Sequence, residues 1–277
     1  MKLLTKTAAF LPLLTLSLCF TPTVGATENT QQIEMPGTQW QGKRVGVLGD
    51  SMSAPNDRPD RKRYYSYLAD MLGIEPMVYA VSGYQWKDLL GLAHKMHDEH
   101  GDSIDAITIW AGTNDYNASR PLGEFFTEKN EQVNVNGKIV TRKHRTHVMA
   151  DSTFCGSINL LMSYLKENYP TKQIVILTPV HRAFARFGDD NIQPDELYAN
   201  GAGCYIDDYV AVLKRAGEVW SVPVIDLFSL SGYYPLYDSF SGYVQNPVTD
   251  RLHPDANGHR RLAETLKYQL LTLPSTF

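Results

Sequence analysis

The sequence predicts an α/β domain built around a parallel sheet. Five short, β-rich apolar runs recur along the chain, and they are near-continuous in apolar character rather than alternating, as strands buried on both faces are. Between them lie amphipathic, helix-like segments, and strands alternating with helices imply a parallel sheet covered on both sides. The length of 277 residues, 43% of them hydrophobic, provides a sizeable core and excludes a disordered chain. A formal net charge of −4 argues against nucleic acid as a partner, since such binders carry a basic surface.

The strand runs are RVGVL (44–48), MVYA (77–80), DAITIW (105–110), QIVILT (173–178) and VPVIDL (222–227). Among the helices, RYYSYLADMLG stops at Gly73, and WKDLLGLAHKMHDEHG sets Trp86, Leu89, Leu90, Ala93 and Met96 near helical spacing before Gly101. SINLLMSYLKENYP and IDDYVAVLKRAGEVW follow the same pattern, and DANGHRRLAETLKYQLL comes after Pro254, which suits the first turn of a helix. A single domain is expected over 41–277, after a polar leader at 27–40. Two insertions interrupt the alternation. Residues 117–150 are polar and basic, with hairpin character around Asn136-Gly137, and residues 228–248 are rich in Tyr, Phe, Ser and Gly.

Residues 1–26 have the layout of a secretory signal peptide: Lys2 and Lys6, an apolar middle, and small residues before an expected cleavage after Ala26. Pro12 and Pro22 shorten the apolar run below a spanning length, so no stable membrane insertion is expected after cleavage. Cys19 offers lipid attachment as an alternative, but Leu18 stands where a small residue is usual. The expected location is therefore secreted or periplasmic. Of three cysteines, Cys155 and Cys204 remain in the mature chain, and either a disulfide or two buried thiols fits them.

Small polar turns follow the first three runs: Gly49-Asp50-Ser51, Val81-Ser82-Gly83 and Gly112-Thr113-Asn114-Asp115. Ligands bind at the carboxyl ends of parallel strands, where strand order reverses, and a 2-1-3-4-5 order brings Ser51, Gly83 and Asn114 to one crevice. A serine needs a base to become a nucleophile. His253, in VTDRLHPDANGH, is the candidate, with Asp250 three residues earlier to hold its tautomer. Backbone N–H groups of Ser51 and Gly83 and the Asn114 amide are the candidate oxyanion donors.

These four islands, in residue type, order and placement, resemble the blocks of the SGNH (GDSL-type) hydrolase superfamily. The resemblance implies a three-layer α/β/α flavodoxin-like sandwich with a central five-stranded parallel sheet. It also implies a serine esterase with no cofactor and no metal: Ser51 as nucleophile and oxyanion donor, Gly83 and Asn114 completing the oxyanion hole, Asp250 and His253 completing the triad. Met52 departs from the leucine of the family's naming motif, and the 117–150 insertion has no counterpart in the minimal pattern. There is no G-x-S-x-G elbow, which separates the chain from the other common hydrolase architecture.

Other residues compete with this set. His94, His97 and His100 stand three apart in HKMHDEH, a spacing that suits zinc but equally a solvated helix end, and His144 and His147 lie in a basic loop. Asp50 and Asp115 read as braces of their own turns. His181 and Arg182, after the fourth strand, and Tyr233 and Tyr234, beside Tyr237 and Tyr243, are a possible substrate rim. The expected function is hydrolysis of carboxylic esters through an acyl-enzyme, with short acyl groups on carbohydrates favoured as substrate. A lysophospholipase- or thioesterase-like enzyme and a carbohydrate-binding protein on the same scaffold are the alternatives.

Overall fold

The computed structural model describes residues 37–56 and 61–274, so the signal-peptide, cleavage and Cys19 readings lie outside the described residues. The central sheet contains β1 (Arg44–Gly49), β2 (Glu75–Ala80) and β3 (Ala106–Trp110). After the insertion strands β4 (Phe126–Val135) and β5 (Lys138–His147), it continues with β6 (Gln173–Leu177). Past the short β7 (Ala185–Arg186) and β8 (Ile192–Gln193), it closes with β9 (Val224–Ile225). All its pairings are parallel, in the order β2-β1-β3-β6-β9, and that is the flavodoxin-like order. The fifth strand is shorter than its apolar run, because only Val224 and Ile225 pair with Ile176 and Leu177.

Among the described residues seven α-helices flank the strands: α1 (Tyr64–Leu72), α2 (Trp86–His100), α3 (Thr113–Asn117), α4 (Phe154–Asn168), α5 (Ile206–Trp220), α6 (Leu227–Leu230) and α7 (Ala256–Thr272). Successive strand residues point to opposite faces, and the core divides accordingly. Leu48, Ile107, Ile109, Ile174 and Ile176 pack with α2, α4 and α5. Val45, Val47, Trp110, Val175 and Leu177 pack with α1 and α7. This is the expected three-layer sandwich. None of the described helices is long and apolar enough to cross a membrane.

Three local features differ from the sequence reading. The domain begins before Gln41: Trp40 is 1% exposed, and its indole N–H donates to the Leu270 carbonyl at 3.0 Å. Pro254 does not open α7 but ends a strand, and Asp255 caps the helix by accepting from Gly258 N at 2.8 Å. The hairpin is far longer than its turn suggested, with β4 and β5 paired over ten residues each. Asn136 (φ 53) and Gly137 (φ 82) form its two-residue turn, where positive φ at both positions matches the strand twist.

A second, antiparallel sheet has the order β10-β11-β7-β8, adding β10 (Val244–Asn246) and β11 (Asp250–Pro254). No apolar periodicity announces it, because three of its strands have only two or three residues. Cys155 and Cys204 are both free thiols. Burial pushes the Cys155 thiol up to about 12.

Candidate active site

The nucleophile turn begins where β1 meets β3. A Cβ on Gly49 would stand 2.7 Å from the Trp110 carbonyl oxygen and 2.9 Å from Ser53 Oγ, so only glycine lets the chain leave the sheet here. Asp50 then folds the turn. Its Oδ1 accepts from Met52 N at 2.9 Å, and its carbonyl accepts from Ser53 N (3.0 Å) and Ala54 N (2.8 Å). Oδ2 accepts from Asn114 Nδ2 at 3.4 Å. Burial raises the Asp50 carboxyl from 3.8 to about 6, against the opposing pull of the Met52 N–H.

Ser51 is left half-buried at the carboxyl edge of the sheet, where its Oγ lies 2.8 Å from His253 Nε2. His253 Nδ1 in turn stands 3.1 and 3.0 Å from the two carboxylate oxygens of Asp250. An ionised carboxylate only accepts, so this contact places the ring proton on Nδ1 and leaves Nε2 free to take a proton from serine. Asp250 and His253 lie on β11, not in the turn expected from sequence. Residues three apart on a strand normally face opposite ways. Asp250 overcomes this by curling its carboxylate back over Leu252 N (3.3 Å) and His253 N (3.1 Å).

Gly83 has φ +85, a conformation that favours glycine, and Asn114 is the second residue of α3. Asn114 Nδ2 also donates to the Tyr84 carbonyl at 3.0 Å, tying the two oxyanion-side turns together. Ser51, Gly83, Asn114, Asp250 and His253 all line one cleft of about 660 Å³. The constellation can deprotonate a serine hydroxyl as it attacks a carbonyl, and it presents N–H groups to the oxygen that becomes negative.

Asp115 braces more than its own turn. It reaches to α2 and accepts from the backbone of Trp86.

The chain also matches the model of the GDSL-like lipase/acylhydrolase family over residues 47–261. The chain belongs to this family. It is a carboxylic ester hydrolase of the SGNH type. Comparison with curated proteins gave no match. Among solved structures, a protein from Lactobacillus plantarum is 23% identical, with a TM-score of 0.63 over 83% of this chain and 97% of that one. A possible lipase from Chitinophaga pinensis is 19% identical, with a TM-score of 0.61 over 83% and 99%. A catalytic mutant of an acetylxylan esterase from Geobacillus stearothermophilus is 17% identical, with a TM-score of 0.51 over 84% and 96%. At these identities the likeness concerns the fold.

The possible substrate rim is corrected. Arg182 is fully buried, and its guanidinium donates to Asn117 Oδ1, Thr113 Oγ1 (3.3 Å), Gln193 Oε1 (3.1 Å) and the Pro194 carbonyl (3.3 Å). It ties three segments together beneath the surface. Tyr233 is also fully buried. His181 binds Glu196 at 2.5 Å and packs on Phe228 and Tyr234, and neither His181 nor Tyr234 lines the cleft. In the segment after the fourth strand Arg182 turns inward, and His181 is taken up by Glu196, Phe228 and Tyr234.

The wall is instead supplied by Arg61 and Arg63 before α1, by Arg186 at the end of β7 and Phe187 just after it, and by Gln245 and Asn246 on β10. The Phe187 ring centroid is 5.5 Å from that of His253. Sequence reasoning missed these residues, although the Arg61-Lys62-Arg63 run so soon after Ser51 was a usable signal.

The α2 histidines have separate engagements: His94 packs on Tyr164, His97 Nδ1 meets Tyr169 Oη at 3.2 Å, and His100 Nδ1 meets Arg44 Nη2 at 3.1 Å. Among the described residues no three His, Cys, Asp or Glu side chains cluster as metal ligands. His147, on the insertion hairpin, stacks on Trp220.

Proposed function

We propose that the protein is an exported esterase that removes short acyl groups, foremost acetyl, from carbohydrates. The 2.8 Å approach of Ser51 Oγ to His253 Nε2, with Asp250 behind the ring, is the observation that supports it. In this reading Ser51 Oγ attacks the ester carbonyl carbon while its proton passes to His253 Nε2. Ser51 N, Gly83 N and Asn114 Nδ2 receive the developing oxyanion. The tetrahedral intermediate collapses, the alcohol leaves with the proton from His253, and the acyl group stays on Ser51. Water, deprotonated by His253, then attacks the acyl-enzyme, and its collapse releases the acid and restores the serine.

The carbohydrate preference is supported by the polar character of the cleft lining, which includes Asn56, Gln193, Gln245 and Asn246. A lipid-directed esterase needs a long apolar wall, and among the described lining residues the large apolar side chains are Phe187 and Leu252. Export rests on the layout of residues 1–26. Kinetics on p-nitrophenyl esters from acetate to palmitate test the reading, with the acetate expected to give the highest kcat/KM. A preference for the long chains overturns the carbohydrate assignment in favour of a lipid substrate.

A further inference from the structure

Arg63 is an unusual residue to find beside a serine nucleophile. It lines the cleft yet is only 7% exposed. Its Nε donates to the Ala54 carbonyl at 3.0 Å and its Nη1 to His259 Nε2 at 2.9 Å. Arginine has donors only, so His259 must accept through Nε2 and carry its proton on Nδ1, which is buried without a partner. Both of its partners among the described residues are therefore neutral. Among the described residues no carboxylate makes an ion pair with Arg63 and nothing accepts from Nη2. The buried carboxylate in its field, Asp50, is committed to Met52 N and Asn114 Nδ2.

A buried charge costs free energy unless it is paired. Removing a guanidinium's water without supplying an anion is a defect in a core but a use in a binding cleft. Arg61, on the same wall, is held by another neutral group: with the Gln245 amide turned to face it, the amide oxygen accepts from Nε at 2.7 Å and from Nη1 at 3.1 Å. Arg186, the third arginine of the lining, already has a counter-charge in the exposed Asp189. Against these positive groups, Asp250 is the carboxylate among the described lining residues, and it is engaged with His253.

We propose that the cleft selects an anionic ester, whose alcohol portion carries a carboxylate or phosphate that Arg63, seconded by Arg61, receives. The assignment to the alcohol portion rests on the proposed function, because an acetyl group has no charge of its own. Arg63 is thus a specificity residue whose ligand is an acidic sugar.

The test compares O-acetylglucuronic acid, O-acetylglucose 6-phosphate and neutral O-acetylglucose, with p-nitrophenyl acetate as the reference ester. The expected result is a kcat/KM at least about tenfold higher for one anionic ester than for the neutral sugar, as one charge-assisted hydrogen bond supplies. That preference should shrink in high salt. Preference for the glucuronate identifies a carboxylate, and for the sugar phosphate a phosphoryl group. Arg63→Gln should lower kcat/KM for the anionic ester, through KM, more than for the neutral one, whereas a loss of kcat/KM that is equal for both esters marks a merely structural clamp and overturns the proposal. Because Arg63 also holds the Ala54 carbonyl, Arg61→Gln provides a second variant, in which the anionic preference is expected to narrow. Calorimetric titration of the Ser51→Ala protein with glucuronate or inorganic phosphate separates this proposal from the esterase reading. Failure to cleave any ester, with an anion still bound, removes the hydrolysis and keeps the anion site. Cleavage of all the esters within about twofold of one another, with neither anion bound, overturns the site and keeps the hydrolysis.

Discussion

Asp115 and Trp86 join the third turn of the sheet to the start of α2: the Trp86 backbone N–H donates to both carboxylate oxygens, at 3.3 and 3.2 Å. Both residues are fully buried. Burial raises the Asp115 carboxyl from 3.8 to about 8, with the Trp86 N–H pulling the other way. The folded protein therefore holds this proton more tightly than the unfolded chain does. The stabilisation is complete below about pH 4 and is lost as the pH rises through about 8. Asp115→Asn keeps an acceptor for Trp86 N and removes the titration. The melting temperature of the variant, minus that of the wild type, should increase steadily from pH 4 to pH 8 in a fluorescence melt. A pH-independent difference would show that Asp115 does not titrate in this range.

Ser51→Ala removes the nucleophile while leaving the Asp50 turn, whose bonds are to backbone and to Asn114, in place. Turnover of p-nitrophenyl acetate should fall at least ~10⁴-fold with an unchanged melting temperature. Residual turnover within tenfold of the wild type would remove Ser51 from the mechanism.

Asp250→Asn should cost a similar ~10⁴-fold in kcat, because an amide can leave the imidazole in the wrong tautomer. Its Oδ1 can still accept from Leu252 N and His253 N, so the variant is expected to fold. Circular dichroism together with steady-state kinetics separates the two effects.

The oxyanion donors are tested at two positions. Asn114→Ala should lower kcat by ~10²–10³ with little change in KM, since the amide's donation strengthens as charge develops. Gly83→Ala places a methyl in open space, with nothing within 4 Å of it, so any loss there reports backbone conformation at φ +85 rather than crowding. Gly49→Ala is the opposite case, since its methyl meets the Trp110 carbonyl at 2.7 Å. It should destabilise by ~1–3 kcal/mol in denaturant melts, in addition to reducing kcat.

What the sequence revealed was whatever is local. Each of the five central strands is its own apolar run, and each motif lies within a few residues, so Ser51, Gly83, Asn114 and Asp250–His253 could be read before any coordinates. The small sheet could not be read, because a two-residue strand such as Ala185–Arg186 carries no period. Arg182 was misplaced for a related reason. Position after a strand says that a residue lies near the site, but not which way it faces. That was decided by Thr113 and Asn117 on α3 and Gln193 on β8, acceptors on two elements distant in sequence from one another. Arg63 escaped notice because its significance lies in the neutrality of its partners, Ala54 and His259, one of which is 196 residues away.

The base and its carboxylate reside on β11, and His253 follows the serine it serves by 202 residues. A ribosome that has delivered residues 44 to 249 has already released the nucleophile turn and both oxyanion turns, and still has made no catalyst. Esterase activity in this protein is therefore a late event in its assembly: it can begin only after β11 has emerged and found β7. Hydrolysis of a fluorogenic acetate during refolding would time that final docking step directly.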